Sequence, residues 1–232
     1  MNRWIFLAAL FCAVAGSRQF RNNARSLNGS PYGQVEQHKA VQNGQIDPKK
    51  MVEVKLSAPL AYAANCTSSD VVVLELEEQL ASPGAQLNTQ ENPTTGSFFA
   101  SGFGEDPKEP EASLHLLKTV ILDIKVCPAG HGYHDSICTV EITRDVCAGD
   151  SGSGLKDDSD TLFGLVSSGV DCSRIYAGII NSEAAGTGNE EYKGGIFTAV
   201  NKHLDFICSV IGNIAGCKPE FAKGEEKFIT IA

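Results

Sequence analysis

The chain has 232 residues, of which 42% are hydrophobic and 20% are charged, so it is long enough to bury one or two modest cores. Its formal net charge of -9 at pH 7 argues against a nucleic-acid partner, because such proteins present a basic face. No stretch approaches the roughly 20 consecutive apolar residues that a membrane span needs.

The N-terminus has the pattern of a secretory signal peptide. The basic Arg3 precedes an apolar run from Trp4 to Val14, and small residues at 13–17 offer a cleavage site. The run is too short for a spanning helix, and polar sequence follows it. We therefore expect a signal peptide over residues 1–17 and a secreted, extracellular protein, in a compartment that permits disulfides.

Four short runs rich in Val, Ile, Leu and Phe predict β-strands, at 71–76, 119–126, 162–167 and 195–200. Turns of Gly, Asn, Asp and Ser separate these runs, and the pattern indicates a β-rich chain. Exposed loops are expected at 105–111, which is acidic and contains proline, and at 182–194, which is rich in Gly, Glu and Asn. The apolar spacing of residues 204–207 favours a helix.

The run from Cys147 to Gly154 has the most specific chemical pattern in the chain. Its centre, Gly149-Asp150-Ser151-Gly152, sets a serine between glycines that let the backbone approach a substrate carbonyl closely. A serine hydroxyl is a useful nucleophile for acyl transfer only when a base takes its proton and N–H donors hold the oxyanion. The tetrapeptide also occurs in ordinary turns, so it does not decide the function alone.

The same run resembles the nucleophile motif of trypsin/chymotrypsin-family serine proteases, C-x-G-D-S-G-G-P. Five of the seven specified positions match, and Ser153 and Gly154 stand in place of the family's Gly-Pro. The resemblance implies that Ser151 is the nucleophile. It also implies that the N–H groups of Gly149 and Ser151 form the oxyanion hole.

Two aspartates and an activation junction extend the resemblance. Asp145, six positions before Ser151, matches the acidic floor of the specificity pocket and implies cleavage after Lys or Arg. Asp150 matches the residue that captures the new N-terminal amine when the zymogen is cleaved. Residues 25–29 resemble the junction R-I-V-N-G, so cleavage after Arg25 would free Ser26 and leave residues 18–25 as a short pro-segment.

Further motifs of the family follow in the same order along the chain. Residues 69–76 resemble N-D-I-A-L-L-x-L, in which Asp70 would orient the catalytic histidine; a turn aspartate that caps an apolar strand is the alternative. Residues 101–104 resemble S-G-W-G. The remaining matches, to V-S-W-G and G-V-Y-T, imply that Ser167, Gly169 and Gly195 line the specificity pocket.

The resemblance runs from about Ser69 to Ile211 and implies an all-β, chymotrypsin-like double antiparallel β-barrel with a C-terminal helix. The peptidase domain would span 26–215, with a complete second barrel over about 96–211 and a C-terminal tail over 216–232. The first barrel is expected to be incomplete, with strands only near 51–80. An incomplete barrel exposes unpaired strand edges, which favours aggregation or partner binding.

The catalytic histidine of the family has no clear counterpart. Its T-A-A-H-C motif lies about 45 residues before the aspartate, whereas residues 63–66, Ala-Ala-Asn-Cys, lie only five residues before Asp70 and are taken as a chance echo. His38 precedes Asp70 without the flanking motif, and it and the other histidines are expected in loops or on the surface. Only 35 residues separate Gly33 from Ser69, so a block is missing, through a skipped exon, a gene-model fault or an evolutionary loss.

The cysteine count fits a disulfide-bonded secreted protein. Of eight cysteines one lies in the leader, and the odd remainder means an unpaired thiol or an intermolecular partner. The resemblance implies the pairs Cys127 with Cys138 and Cys147 with Cys172, the second of which braces the specificity pocket. We further expect Cys66 to pair with Cys208 and leave Cys217 over. No cysteine spacing typical of a zinc site occurs, and neither metal nor cofactor is expected.

Two functions remain open. In the first, the chain is a secreted trypsin-like serine endopeptidase, a divergent nematode-like member of the family. Its partners would be protein or peptide substrates and protease inhibitors. Its activity would be reduced or absent because the histidine motif is missing. In the second, it is a catalytically inactive homologue that binds peptides or proteins through the retained pocket. Loss of one triad member leaves only the residual catalysis of substrate binding and the oxyanion hole.

Overall fold

The computed structural model describes residues 4–7, 34–35, 41–42, 45–46, 52–62, 70–76, 84–106, 117–141, 145–169, 171–186, 192–212, 216–221 and 229–230. The strands are β1 Trp4–Leu7, β2 Gln34–Val35, β3 Val41–Gln42, β4 Gln45–Ile46, β5 Val52–Tyr62, β6 Val71–Leu76, β7 Gln86–Leu87, β8 Gly96–Gly102, β9 Lys118–Lys125, β10 Ser136–Glu141, β11 Gly154–Lys156, β12 Thr161–Ser168, β13 Tyr192–Ala199 and β14 Ile229–Thr230. The described helices are α1 Cys172–Ala185 and α2 Leu204–Ile211, and a 3-10 turn, Val200–Lys202, precedes α2.

Six antiparallel strands close into a barrel in the order β8, β9, β10, β13, β12 and β11. The ring closes because β11 pairs with both β8 and β12, and the short β7 adds to β12 in parallel. The strands of this barrel lie between Gly96 and Ala199. The chymotrypsin-like, mostly β fold expected from the sequence is therefore confirmed.

The interior of the barrel follows from the two-residue period of its strands. Side chains at alternate positions of β8 and β9 are buried, including Phe98, Ala100, Leu122 and Ile124, because successive residues of a strand face opposite sides of a sheet. Phe98 packs edge-on against Phe163 at a ring-centroid distance of 4.9 Å. The other buried members of this core are Ile137, Val146, Leu155, Val166, Phe197 and Ala199.

A second core lies where α2 packs against β6, β7 and β12. The apolar face predicted for the helix is buried, and Ile207 is fully inaccessible to solvent. From β6, Val71 and Val73 join the cluster. The remaining buried members are Leu87, Leu162, Leu165, Val200, Leu204, Phe206, Cys208, Ile211 and Cys217.

A second sheet, called the N-terminal sheet here, has five strands: β1, β2, β5 and β6, together with β14 from much later in the chain. Its order is β1, β6, β5 and β14, with β2 also paired to β5, while β3 and β4 form a separate pair. The sheet includes more of the chain than the expected strands near 51–80. Strand β1 lies within the segment expected to be a signal peptide, and β14 lies within the expected tail.

Helix α1 was not predicted, and it occupies part of the segment expected as a loop at 182–194. Asp171 caps its start by accepting hydrogen bonds from the backbone N and the hydroxyl of Ser173. Gly186 ends it in the left-handed conformation, with φ of 65°. Ile175 and Ile179 are buried on one face. The mixture of Ser, Gly and Asn in this helix lowers its intrinsic helix propensity, which explains the wrong prediction.

Three disulfides lie within the described residues. Cys127 bonds Cys138 and Cys147 bonds Cys172, as the resemblance implies. The third joins Cys208 to Cys217, so the expected pairing of Cys208 with Cys66 is wrong. Cys208 lies on α2, and the turn after the helix brings the Cα of Cys217 to 5.4 Å, within the range that a disulfide spans. Cys66 itself lies outside the described residues.

His203 is also placed differently from the expectation of a loop or surface histidine. It is only 5% exposed, and its Nε2 lies 2.9 Å from Oδ2 of the equally buried Asp135. His203 sits at the start of α2, and the Asp135 carbonyl accepts a hydrogen bond from Ala199. The pair thus fastens the start of the helix to the loop before β10. The sequence alone did not indicate this contact, because 68 residues separate the partners.

Candidate active site

Ser151 lies exposed on a tight turn between the barrel strands. The turn needs glycine at two positions, since φ is 99° at Gly149 and 87° at Gly152, a region that side-chain-bearing residues rarely adopt. Hydrogen bonds from Asp150 N to Cys147 O and from Ser153 N to Asp150 O, at 3.0 and 2.9 Å, hold the backbone around the serine. The glycine pattern noted in the sequence therefore has a local steric cause.

Strand β12 joins this turn to Asp70. Gly152 N donates to Val166 O at 3.0 Å, which places the turn that carries Ser151 beside β12. The next residue of the strand, Ser167, donates from its hydroxyl to Oδ2 of Asp70 at 2.8 Å. Asp70 is half-buried and its Oδ1 is shielded from solvent. Strand β12 thus contacts both Asp70 and the turn of Ser151, which are far apart in the chain.

The exposed turn at Ser151 has two backbone N–H groups without a hydrogen-bond partner among the described residues. Within the described part of the chain, the N–H groups of Gly149 and Ser151 donate no hydrogen bond, and both residues are exposed. Two such donors on one turn can hold the oxygen of a tetrahedral intermediate. The arrangement is compatible with an oxyanion hole.

Asp150, the residue before Ser151, is buried, with 9% exposure. Its Oδ1 accepts from Gly104 N at 2.7 Å and its Oδ2 from Cys147 N at 2.9 Å. Burial raises the pKa of Asp150, while those two N–H donors and the charge of Lys118 oppose the rise. A Cβ on Gly102 or Gly104 would lie within 2.4 Å of carboxylate atoms, so this close packing requires glycine at both positions.

The predicted specificity-pocket residues lie close together. A Cβ added to Gly169 would lie 3.4 Å from Oδ2 of Asp145 and 3.6 Å from Cα of Gly195. The other carboxylate oxygen, Oδ1 of Asp145, accepts from Val146 N at 2.6 Å. The disulfide from Cys147 to Cys172 ties the segment after Asp145 to the start of α1. The structure therefore sets one carboxylate beside two glycines.

The three histidines among the described residues lie in three different environments. His131 Nε2 lies 3.0 Å from Gly194 O, His203 pairs with Asp135, and His134 is exposed. His38 and His115 lie outside the described residues, as do Arg25 and Ser26 of the predicted activation junction.

Lys118 is a site residue that the sequence analysis missed. Its Nζ donates to the carbonyl of Gly104, the residue whose N–H binds Asp150. Lys118 lies opposite Gly102 in the register of β9 and β8. Only the S-G-x-G match marked this end of β8 in the sequence, and nothing indicated which lysine would reach it.

Among the described residues, no helix is long and apolar enough to cross a membrane. Nor do these residues include a group of three or more His, Cys, Asp or Glu side chains placed to hold a metal ion.

A barrel of this topology with an exposed serine between glycines and a carboxylate at the adjoining strand defines a class, the chymotrypsin-like serine proteases. The family model described as Trypsin matches residues 32–187. Because this match covers more than half of the chain, the chain belongs to the trypsin family of serine proteases.

Two curated proteins are similar to the chain over part of their length. The trypsin-like protease try-5 of Caenorhabditis elegans is 30% identical over 175 residues, covering 65% of this chain and 49% of that protein. Hypodermin-A of Hypoderma lineatum is 29% identical over 133 residues, covering 51% of this chain and 52% of that protein. The matched part of the chain thus spans about half the length of these curated relatives.

Solved structures show the same fold. Mouse neuropsin, a serine protease, superposes with a TM-score of 0.59 at 16% identity, over 87% of this chain and 82% of that chain. Kallikrein-related peptidase 10, solved in complex with Zn²⁺, gives a TM-score of 0.51 at 18% identity, over 70% and 74% of the two chains. At these identities the likeness concerns the fold alone.

Proposed function

We propose that the protein is a secreted trypsin-like serine endopeptidase with Ser151 as nucleophile, whose activity is reduced in this chain. The observation that carries the proposal is the pair of contacts along β12, from Gly152 N to Val166 O and from Ser167 Oγ to Asp70 Oδ2. They set a carboxylate and an exposed serine beside one strand end. In the family such a carboxylate orients the base that activates the serine.

The chemistry would be acyl transfer. Ser151 Oγ attacks the scissile carbonyl carbon, its proton passes to a base, and the N–H groups of Gly149 and Ser151 stabilise the oxyanion. The leaving amine takes up that proton, and water then releases the acyl group. The activity is reduced because the usual base is missing. The sequence lacks the histidine motif, and two of the described histidines are hydrogen-bonded at other sites.

Cleavage after Lys or Arg is the proposed specificity. The carboxylate of Asp145 lies beside Gly169, close to Gly195. Glycine leaves room for a long side chain, and a carboxylate at the end of such a pocket attracts an ammonium or guanidinium group. The Asp145→Asn variant should therefore bind p-aminobenzamidine at least tenfold more weakly, as measured by its fluorescence. Asp123→Asn, which alters an exposed carboxylate bonded to Ser97, should leave binding unchanged.

The second candidate is a catalytically inactive homologue that binds basic peptides. The observation that favours it is that Asp145, Gly169 and Gly195 lie close together, whereas the histidine motif is absent from the sequence. Such a protein would bind substrate-like peptides without turning them over.

Labelling with a fluorophosphonate distinguishes the two candidates. In this reaction the Ser151 Oγ–phosphorus bond forms and fluoride leaves, so labelling reports an activated serine. We expect slow labelling of the wild type, none of Ser151→Ala, and unchanged labelling of Ser153→Ala. If the folded wild type binds p-aminobenzamidine but does not label, the endopeptidase proposal fails and the peptide-binding homologue takes its place.

Secretion and zymogen activation complete the proposal. Residues 1–17 would be removed on export, and cleavage after Arg25 would deliver the amine of Ser26 to Asp150. Removal of the leader would take β1 out of its pairing with β6. N-terminal sequencing of the protein from culture medium should find the chain beginning near residue 18 or at Ser26, and Arg25→Gln should abolish the second start. Retention of residue 1 in the secreted protein would contradict the leader.

A further inference from the structure

A chain of hydrogen bonds leads from the ammonium of Lys118 to the peptide that presents the Gly149 N–H. Lys118 Nζ donates to the carbonyl of Gly104. The N–H of that same peptide group, on Glu105, donates to Ala148 O at 2.8 Å. The carbonyl of Ala148 and the N–H of Gly149 in turn belong to one planar peptide. Two peptide groups therefore connect the charge of Lys118 to a donor of the oxyanion hole.

The fold holds both ends of this chain in place. The register of β8 and β9 sets Lys118 opposite Gly102, two residues before Gly104. Asp150 binds the Gly104 N–H at 2.7 Å, so the peptide groups on both sides of Gly104 are fixed. A Cβ on Gly149 would lie 3.1 Å from Cα of Gly104, which shows how closely the two backbone segments approach.

The electrostatics of the chain favour the oxyanion. A cation bonded to a peptide oxygen makes the N–H of that peptide a stronger donor, and successive hydrogen bonds polarise one another in the same sense. The direction here runs from Lys118 toward Gly149, so the last N–H becomes more positive. The charge of Lys118 also lowers the pKa of Asp150, against the larger effect of burial.

We propose that Lys118 is a positioning residue for the oxyanion hole, whose ammonium orients and polarises the Gly149 N–H through the peptides of Gly104-Glu105 and Ala148-Gly149. The inference rests on the proposed peptidase function, in which that N–H binds the developing oxyanion. Loss of a whole oxyanion donor costs about 10²–10³ in rate. Loss of Lys118, which acts on one donor at a distance, should cost about tenfold.

The test compares Lys118→Gln, which keeps a donor without the charge, with Lys118→Met, which keeps only an apolar stem. Lys118→Arg should restore the wild-type behaviour. Lys156→Gln is the matched control, because Lys156 is another barrel lysine, paired with the exposed Asp160. If Lys118→Met does not fold, Lys118→Gln still tests the charge. NMR of the full chain gives the exchange rate of the Glu105 amide and the proton shift of the Gly149 amide.

In Lys118→Gln and Lys118→Met we expect about tenfold faster exchange at Glu105, an upfield shift of the Gly149 proton and about tenfold slower fluorophosphonate labelling. Binding of p-aminobenzamidine, which does not use the oxyanion hole, should change less than twofold. Unchanged exchange and shift in both variants would overturn the proposal. If the wild type does not label at all, the peptidase function fails, yet the two amide measurements still decide whether Lys118 acts on Gly149.

Discussion

At the scale of single residues, Ser167 has more than the pocket role that the sequence implied. Its backbone belongs to the strand beside the turn of Ser151, and its hydroxyl donates to Asp70 at 2.8 Å. The partners are 97 residues apart in the chain, so this one hydrogen bond connects the N-terminal sheet to the barrel. A hydrogen bond to a carboxylate is stronger than one between neutral groups.

Ser167→Ala should therefore destabilise the protein by about 2 kcal/mol, because hydrogen bonds to charged groups contribute about 1.5–3 kcal/mol. Urea unfolding measures the change. The matched control is Ser168→Ala, at the neighbouring half-buried serine, whose hydroxyl makes no hydrogen bond within the described residues. Equal effects of the two substitutions would show that the contact with Asp70 contributes no stability.

Asp150 provides a prediction about pH. Burial raises its pKa above the usual 3.8, so the folded state holds the proton more tightly than the unfolded state. The contribution of this group to stability is thus fully present below pH 3.8 and is lost as pH rises through the raised pKa. The stability of the wild type relative to Asp150→Asn should fall as pH rises from about 3 to 7, as measured by urea unfolding at each pH.

A difference that instead grows with pH would mean that the pKa of Asp150 is lowered. Capture of the Ser26 amine would have that effect, because a nearby cation favours the carboxylate. The same measurement on protein cleaved after Arg25 therefore tests the activation proposal. Uncleaved Arg25→Gln is the control, and it should keep the original sign.

At the scale of elements, α1 depends on its cap. Asp171, at the helix start, accepts hydrogen bonds from the hydroxyl and the backbone N–H of Ser173. Both bonds lower the pKa of Asp171, and the bond from the hydroxyl has the larger effect. Such a cap satisfies N–H groups that have no partner within the helix. The contribution is present above the unfolded pKa and is lost as pH falls through the lowered one.

Asp171→Ala should therefore speed amide exchange in the first turn of α1, residues 172–176, at pH 7. Asp171→Asn, which keeps an accepting oxygen, should change it much less. Hydrogen exchange read by mass spectrometry over 171–186 checks both variants. If exchange in Asp171→Ala matched the wild type at pH 7, the start of the helix would be held by something other than its cap.

At the scale of the whole molecule, the core around α2 joins the N-terminal sheet to the barrel. Val73 of β6 is fully buried in the same cluster as Leu165 of β12 and Ile207 of α2. Side chains packed in one cluster lose their contacts together. The protein should therefore unfold as one cooperative unit, although its strands form separate sheets.

Val73→Ala should lower the stability of the whole protein by about 2 kcal/mol, from the two carbons lost and the cavity left behind. The measurement follows urea unfolding by circular dichroism and by the fluorescence of bound p-aminobenzamidine, which reports the barrel. Both transitions should shift together. Val126→Ala, at a position 71% exposed, is the control and should shift neither. A shift seen by circular dichroism alone would mean that the N-terminal sheet unfolds separately.

The amino-acid sequence by itself determined the features that depend on neighbours along the chain. The glycines around Ser151 follow from positive φ angles in one turn, and the apolar runs of the barrel strands follow from the two-residue period of a buried sheet face. Those patterns, together with the family resemblance that their order carried, predicted the chymotrypsin-like fold and the disulfides of Cys127 and Cys147.

Only the tertiary structure decided the contacts between distant segments. The bond of Cys208 to Cys217, the burial of His203 on Asp135 and the reach of Lys118 to Gly104 leave no mark in the local sequence. Each depends on the register of strands or on the direction in which a turn leaves a helix. A local pattern records only the steric and hydrophobic demands on a few neighbouring residues, whereas these contacts depend on where the fold places separate segments.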